Sequence, residues 1–274
     1  MRIFLLAAIL VACNVGAQAQ HLVDVGGYRL DVLQAGKGNP TVVFEAGVTD
    51  SMTFWEKVFP HIAEYTSVVA YSRPGLGRSE PDPLPHTASR AVSTLHTLLA
   101  KLSLHPPYVL VGHSYGGLLM RLYASTYRTE VAGIVLVDGT HEQAWKRLIA
   151  LDSNYSPWIY AMYDSLTRVG TPSEAAELKE IVRILKTGTT EEMKPLPDVP
   201  IAILTSTKTD SVPAAVSRTA RGKESVRAGH SEWAQNARTS IHIVTDRSGH
   251  YIQTDEPQLV IDAIRFVLDR VRAR

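Results

Sequence analysis

Six consecutive residues, Gly112, His113, Ser114, Tyr115, Gly116 and Gly117, follow the apolar run Tyr108, Val109, Leu110 and Val111. Small residues two positions either side of a serine allow a strand to turn sharply into a helix. Such a turn leaves the hydroxyl exposed at its corner. The helix N-terminus that follows favours negative charge developing beside it. The chemistry this suits is nucleophilic attack by Ser114 on an acyl carbon. A serine hydroxyl is a weak nucleophile unless a base takes its proton.

His250 is the chosen base, because it lies in the glycine-containing stretch after the last apolar run and before the last helical pattern. His113 is read as packing locally, and His141 comes too early in the chain for the role. A carboxylate must hold the imidazole in one tautomer. Asp138, at the end of the apolar run 131–137, is the preferred acid, and Asp210 competes with it. Two backbone donors are needed for the oxyanion. They are expected from the N–H of Tyr115 and from the N–H of Val48, with Gly47 giving the backbone freedom to turn inward.

These residues need a frame that brings the ends of several strands to one edge. Short apolar runs at 41–45, 67–71, 108–111, 131–137, 201–205 and 241–245 alternate with helical patterns at 54–65, 88–102, 117–127, 223–238 and 258–272. That alternation predicts a parallel sheet with helices on both faces. Residues 140–197 break the rhythm with Trp145, Tyr155, Trp158, Tyr160, Met162 and Tyr163, then two further helical patterns, at 172–186 and near Glu191. They read as helices inserted between two strands.

The chain resembles the α/β-hydrolase superfamily, in its serine esterase and lipase-like branch, over nearly all of 21–272. The shared stretches are the one around Ser114, 42–48 with Gly47, 71–81 with Arg73, 135–141 with Asp138, and 248–257 with His250. The resemblance implies an eight-stranded, mostly parallel sheet, a helical cap at about 140–197, and the order nucleophile, acid, base. Both Ser114–Asp138–His250 and the version with Asp210 satisfy that order. Two departures stand out. The usual His-Gly of the oxyanion loop reads Ala46-Gly47, and the usual acid position holds only Asp210. Serine at the turn argues against epoxide opening or halide removal, which use an aspartate there.

Composition narrows the rest. A net charge of +1 over 274 residues gives no electrostatic footprint for nucleic acid. No His, Cys, Asp or Glu cluster has metal-ligand spacing and no dinucleotide fingerprint follows a strand, so neither metal nor cofactor is expected. The expected partner is a small acyl substrate, chiefly a carboxylic ester. Amide, lactone and thioester cleavage stay open. An aminopeptidase would use cap carboxylates such as Glu174, Glu177, Glu180, Glu191 or Glu192 to hold an amine. A non-catalytic binding module on the same fold is the remaining alternative. The loop at 73–79 reads as a rigid turn near the pocket.

Residues 1–19 carry Arg2, an apolar run of about ten residues, then small and polar residues, the pattern of an export signal. Cleavage after Ala19 leaves Gln20 first, with 20–274 as the hydrolase domain. Leu10 to Cys13 also resembles a lipobox, in which Cys13 would carry a lipid tether. Either reading places the protein outside the cytoplasm, periplasmic or secreted. Cys13 is the single cysteine, so no intramolecular disulfide is expected.

Overall fold

The computed structural model describes residues 19–190, 193–209 and 216–274. Cys13, the rest of 1–18, Glu191, Glu192 and Asp210 lie outside the described residues. Eight strands form one sheet: Ala19–Asp24 (β1), Arg29–Ala35 (β2), Thr41–Glu45 (β3), Val68–Tyr71 (β4), Tyr108–His113 (β5), Val131–Val137 (β6), Ile201–Ser206 (β7) and Ser240–Thr245 (β8). The helices are Phe59–Ala63 (α1), Ala88–Lys101 (α2), Tyr115–Thr126 (α3), Ala144–Leu151 (α4), Tyr155–Val169 (α5), Pro172–Thr187 (α6), Ala220–Gln235 (α7), Ile252–Asp255 (α8) and Pro257–Arg272 (α9).

The order across the sheet is β1-β2-β4-β3-β5-β6-β7-β8. The pairs β1/β2 and β2/β4 are antiparallel, and every other pair is parallel. The central strands are apolar without a break because each face has its own core. Val43 and Leu110 face α2 and α3, whereas Val42, Phe44, Val109 and Val111 face α1 and α9. On α9, Val260, Ile261, Ile264, Val267 and Leu268 are buried, at the spacing that gives one helical face.

Two expected helices differ. The pattern at 54–65 forms a 3-10 turn, Met52–Trp55, and then the short α1. Pro60 would fall inside a continuous helix, where it removes a hydrogen bond and clashes with the preceding turn. In the structure it sits at the start of α1 instead. The helix expected at 223–238 starts earlier, because the Thr219 side chain accepts the Gly222 N–H at 3.2 Å and caps α7. Helices α4 and α5 were read in the sequence only as an aromatic stretch. They join α6 between β6 and β7. Among the described residues no helix is long and apolar enough to cross a membrane.

Register sets up the site. Glu45 pairs with Gly112, His113 with Val137, Val137 with Leu204, and Ser206 with Thr245. Five parallel strands therefore end at one edge. The segments that leave them, starting at Ala46, Ser114, Asp138, Thr207 and Asp246, emerge side by side.

Candidate active site

Ser114 stands between β5 and α3 with φ 51° and ψ −120°. A non-glycine residue there is strained by about 1–3 kcal/mol. The turn is pinned on both sides: Ser114 N–H donates to Val137 O at 3.1 Å, and Ser114 O accepts from Gly117 N at 3.0 Å and Thr140 N at 2.8 Å. The glycines are there for space. A Cβ on Gly116 would lie 2.5 Å from both Glu45 O and Ala46 O, and one on Gly112 would lie 2.5 Å from Gly116 O.

Asp138 is the first residue past β6 and also has a positive φ, 43°. Its N–H donates to Leu204 O at 2.8 Å. Its Oδ1 accepts the Ser206 N–H at 3.0 Å, and its Oδ2 lies 2.7 Å from His250 Nδ1. Burial pushes this carboxyl up. The hydrogen bond from His250, helped by the nearby charge of Lys223, outweighs burial and brings it down to about 2. An ionised carboxylate can only accept, so Nδ1 of His250 carries the proton in this bond, and in the neutral ring the free lone pair is on Nε2.

His250 reaches Asp138 because its loop is tied back to β7, where Ser206 Oγ donates to Ser248 O at 2.9 Å. Gly249 N–H donates to Asp255 Oδ2 at 3.1 Å, closing the loop onto α8. Ser114, Asp138 and His250 line one cavity of about 310 Å³. No hydrogen bond joins Ser114 Oγ to the ring among the described residues. In free enzymes such bonds are often long and tighten with substrate. The cap supplies an apolar wall of Trp145, Leu148, Tyr163, Ile181 and Leu185. A larger cavity of about 610 Å³, around Arg121, Pro197 and Trp233, holds none of these groups. The smaller cavity is the candidate site because of the chemistry gathered in it, rather than its volume.

The other expected residues fall as follows. Tyr115 opens α3, and its ring is buried. Val48 lies in the loop after β3, and no acceptor is bonded to its N–H among the described residues. The freedom expected of Gly47 is not used, because the left-handed residue is Thr49, with φ 61°. Gly47 is needed for closeness: a Cβ there would lie 2.5 Å from Asp50 Oδ2 and 3.0 Å from His113 Nδ1.

His113 is buried beside His250, and its Nε2 donates to His250 O at 3.0 Å. Burial, then the His250 charge, brings its pKa down to about 3. His230, which donates to Gly139 O at 2.7 Å, is lowered to about 4, chiefly by burial. Both are neutral supports of the site. Asp50, by contrast, is raised to about 6 by burial, against the pull of Arg73 and His250.

Among the described cap carboxylates, Glu174, Glu177 and Glu180 are engaged within the protein. Glu174 closes a capping box with Thr171, and Glu180 binds Arg183 and the Ala88 N–H. Glu177 is buried against Arg73, with Nε to Oε1 at 2.5 Å and Nη2 to Oε2 at 2.9 Å. The rigid turn read at 73–79 thus hides a buried guanidinium, which sequence reasoning missed. No group of three His, Cys, Asp or Glu side chains is arranged to hold a metal ion among the described residues.

A sequence profile described as the alpha/beta hydrolase family matches residues 42–263. The uncharacterized protein YqjL of Bacillus subtilis is 34% identical over 103 residues, which cover 38% of this chain and 41% of that protein. The chain thus spans less than half the length of that relative. A soluble epoxide hydrolase of Corynebacterium sp. is 23% identical over 90% of this chain and 96% of its own. Among solved structures, a thermophilic esterase from Thermogutta terrifontis superposes with a TM-score of 0.60 at 20% identity, covering 93% of this chain and 99% of that one. A putative lipase from Acinetobacter baumannii gives 0.66 at 16% identity, covering 93% and 92%. At such identities the likeness is one of fold.

Proposed function

The chain belongs to the alpha/beta hydrolase family, and from that premise we propose that it is an exported serine hydrolase of carboxylic esters. The observation that carries this reading is the meeting, in one cavity, of a strained serine and an imidazole whose Nδ1 donates to a buried carboxylate. Under this reading the turn at Ser114 is a nucleophile elbow, and Ser114, His250 and Asp138 form a triad.

Ser114 Oγ attacks the acyl carbon while His250 Nε2 takes its proton. The carbonyl oxygen becomes an anion held by the N–H groups of Tyr115 and Val48. His250 then gives the proton to the departing alkoxide as the ester C–O bond breaks, which leaves an acyl-serine. Water attacks that ester with His250 again as base, and Ser114 leaves with the proton returned. Asp138 keeps Nε2 as the acceptor and stabilises the imidazolium formed in each half.

An amine-binding cap is a poorer fit, since Glu174, Glu177 and Glu180 are all engaged within the protein. Export rests on the sequence of residues 1–19, with a lipid tether at Cys13 as the alternative. The enzymatic reading is tested by turnover of a short p-nitrophenyl ester. Turnover lost in Ser114→Ala supports it, and equal rates in both proteins contradict it.

A further inference from the structure

Arg73 is almost wholly buried, at 2% exposure, in the turn after β4. Its three nitrogens reach five acceptors. Nη1 donates to Glu45 Oε1 at 2.6 Å and to Ala46 O at 2.9 Å. Nη2 donates to Gly47 O at 2.5 Å and to Glu177 Oε2 at 2.9 Å, and Nε donates to Glu177 Oε1 at 2.5 Å. A guanidinium has five N–H bonds in a fixed plane, so every one is used. Glu177 Oε2 also accepts the Thr49 N–H at 3.0 Å. On the far side, the Tyr71 hydroxyl donates to Glu45 Oε2.

The consequence follows from peptide planarity. Gly47 C=O and Val48 N–H belong to one rigid unit, and in a trans unit they point in opposite directions. Gly47 O also accepts the Asp50 N–H at 3.2 Å, and by binding the same oxygen Arg73 helps hold Val48 N–H turned away from the ion cluster. Glu177 fixes the next unit through Thr49. The guanidinium also lies 5.6 Å from the centre of the Tyr115 ring, the side chain of the residue that offers the other donor. We propose that Arg73, clamped between Glu45 and the cap residue Glu177, is a positioning residue that presets the Val48 N–H for the oxyanion and links the seat of the cap to catalysis.

This rests on the serine-hydrolase reading above. Because Glu177 belongs to α6, movement of that helix would loosen the oxyanion donor without touching Ser114 or His250. Such a device acts on the transition state rather than on substrate binding.

The test uses Arg73→Lys and Glu177→Gln with a p-nitrophenyl ester and an arylboronic acid, whose adduct with serine is tetrahedral. A lysine ammonium offers three donors from one atom and cannot span these acceptors. In Glu177→Gln an amide NH2 replaces one oxygen where every partner is a donor. Arg73→Lys is expected to lower kcat about 100-fold, the scale of losing one oxyanion donor, with KM within about twofold. Boronate affinity should fall by the same factor. Glu177→Gln should lower both about tenfold. A purely structural role would not move boronate affinity in step with kcat.

Folded variants with wild-type kcat and boronate affinity, or a loss confined to KM, would overturn the proposal. If Arg73→Lys does not fold, Glu177→Gln decides alone. Wild-type turnover that depends on Ser114 while both variants stay unaffected overturns this proposal only. A wild-type protein without turnover overturns the hydrolase reading and this proposal with it.

Discussion

The two sides of the site are held by different means. On one side, Asp138 and His250 are placed by strand ends and short loops: Asp138 by the backbone of Leu204 and Ser206, His250 by a loop tied to Ser206 and Asp255. On the other, the loop at Ala46 to Asp50 is held by side chains from elsewhere, Arg73 after β4 and Glu177 on the cap. The first side is a property of the sheet. The second depends on a buried ion cluster in which each charge is costly unless its partners are present. Burial alone would lower the Arg73 pKa, but Glu177 and Glu45 outweigh it and hold that pKa well above its usual value. Damage on the sheet side should therefore abolish chemistry and leave the fold intact. Damage on the cluster side should weaken chemistry in proportion to how far the loop is freed.

The comparison is sharpest where the effects are largest. Ser114→Ala should cost about 10⁴-fold or more in kcat/KM, measured as ester turnover, with the melting temperature little changed, because alanine keeps the Cβ and leaves the strained turn as it is. Asp138→Asn should cost about 10⁴-fold in kcat, because the wrong tautomer is then held. Asp210→Asn should stay within about twofold. The reverse result would move the acid to the segment after β7.

Gly116→Ala tests how tightly the two sides abut, since its Cβ would strike Glu45 O and Ala46 O. A stability loss of about 2–3 kcal/mol in urea unfolding is expected. A neutral result would mean that the loop after β3 yields easily.

A further effect, comparable in size and without any effect on turnover required, is a pH signature. Burial raises the Asp50 pKa from its ordinary value of 3.8 to about 6 in the folded protein. Its favourable contribution is full below the unfolded value and is lost as pH rises through about 6. Relative to Asp50→Asn, the wild-type protein should lose up to about 3 kcal/mol between pH 4 and pH 8. A flat difference would show that Asp50 ionises freely.

The same contrast explains what the sequence makes legible. The parallel sheet was readable because unbroken apolar runs are forced by two-sided burial, as in β3 and β5. Ser114, Asp138 and His250 could be named because each sits at a local boundary between strand and loop. The roles of Arg73 and Glu177 were not readable, because their partners lie far along the chain: Glu45 is 28 residues from Arg73 and Glu177 is 104. Nothing local marks a glutamate at helical spacing as buried. Helices α4 and α5 were missed because their mixed aromatic and polar residues make contacts within the cap, such as Trp145 with Tyr160 at 5.4 Å. Pro60 was a local signal against one continuous helix at 54–65.

The central claim is that Ser114 is an activated nucleophile. Mass spectrometry of the folded protein after exposure to a fluorophosphonate tests it most directly. The account predicts one adduct, located on Ser114, absent in Ser114→Ala and formed far more slowly in His250→Ala. No adduct on the wild-type protein, or an adduct on another residue that survives Ser114→Ala, would contradict it.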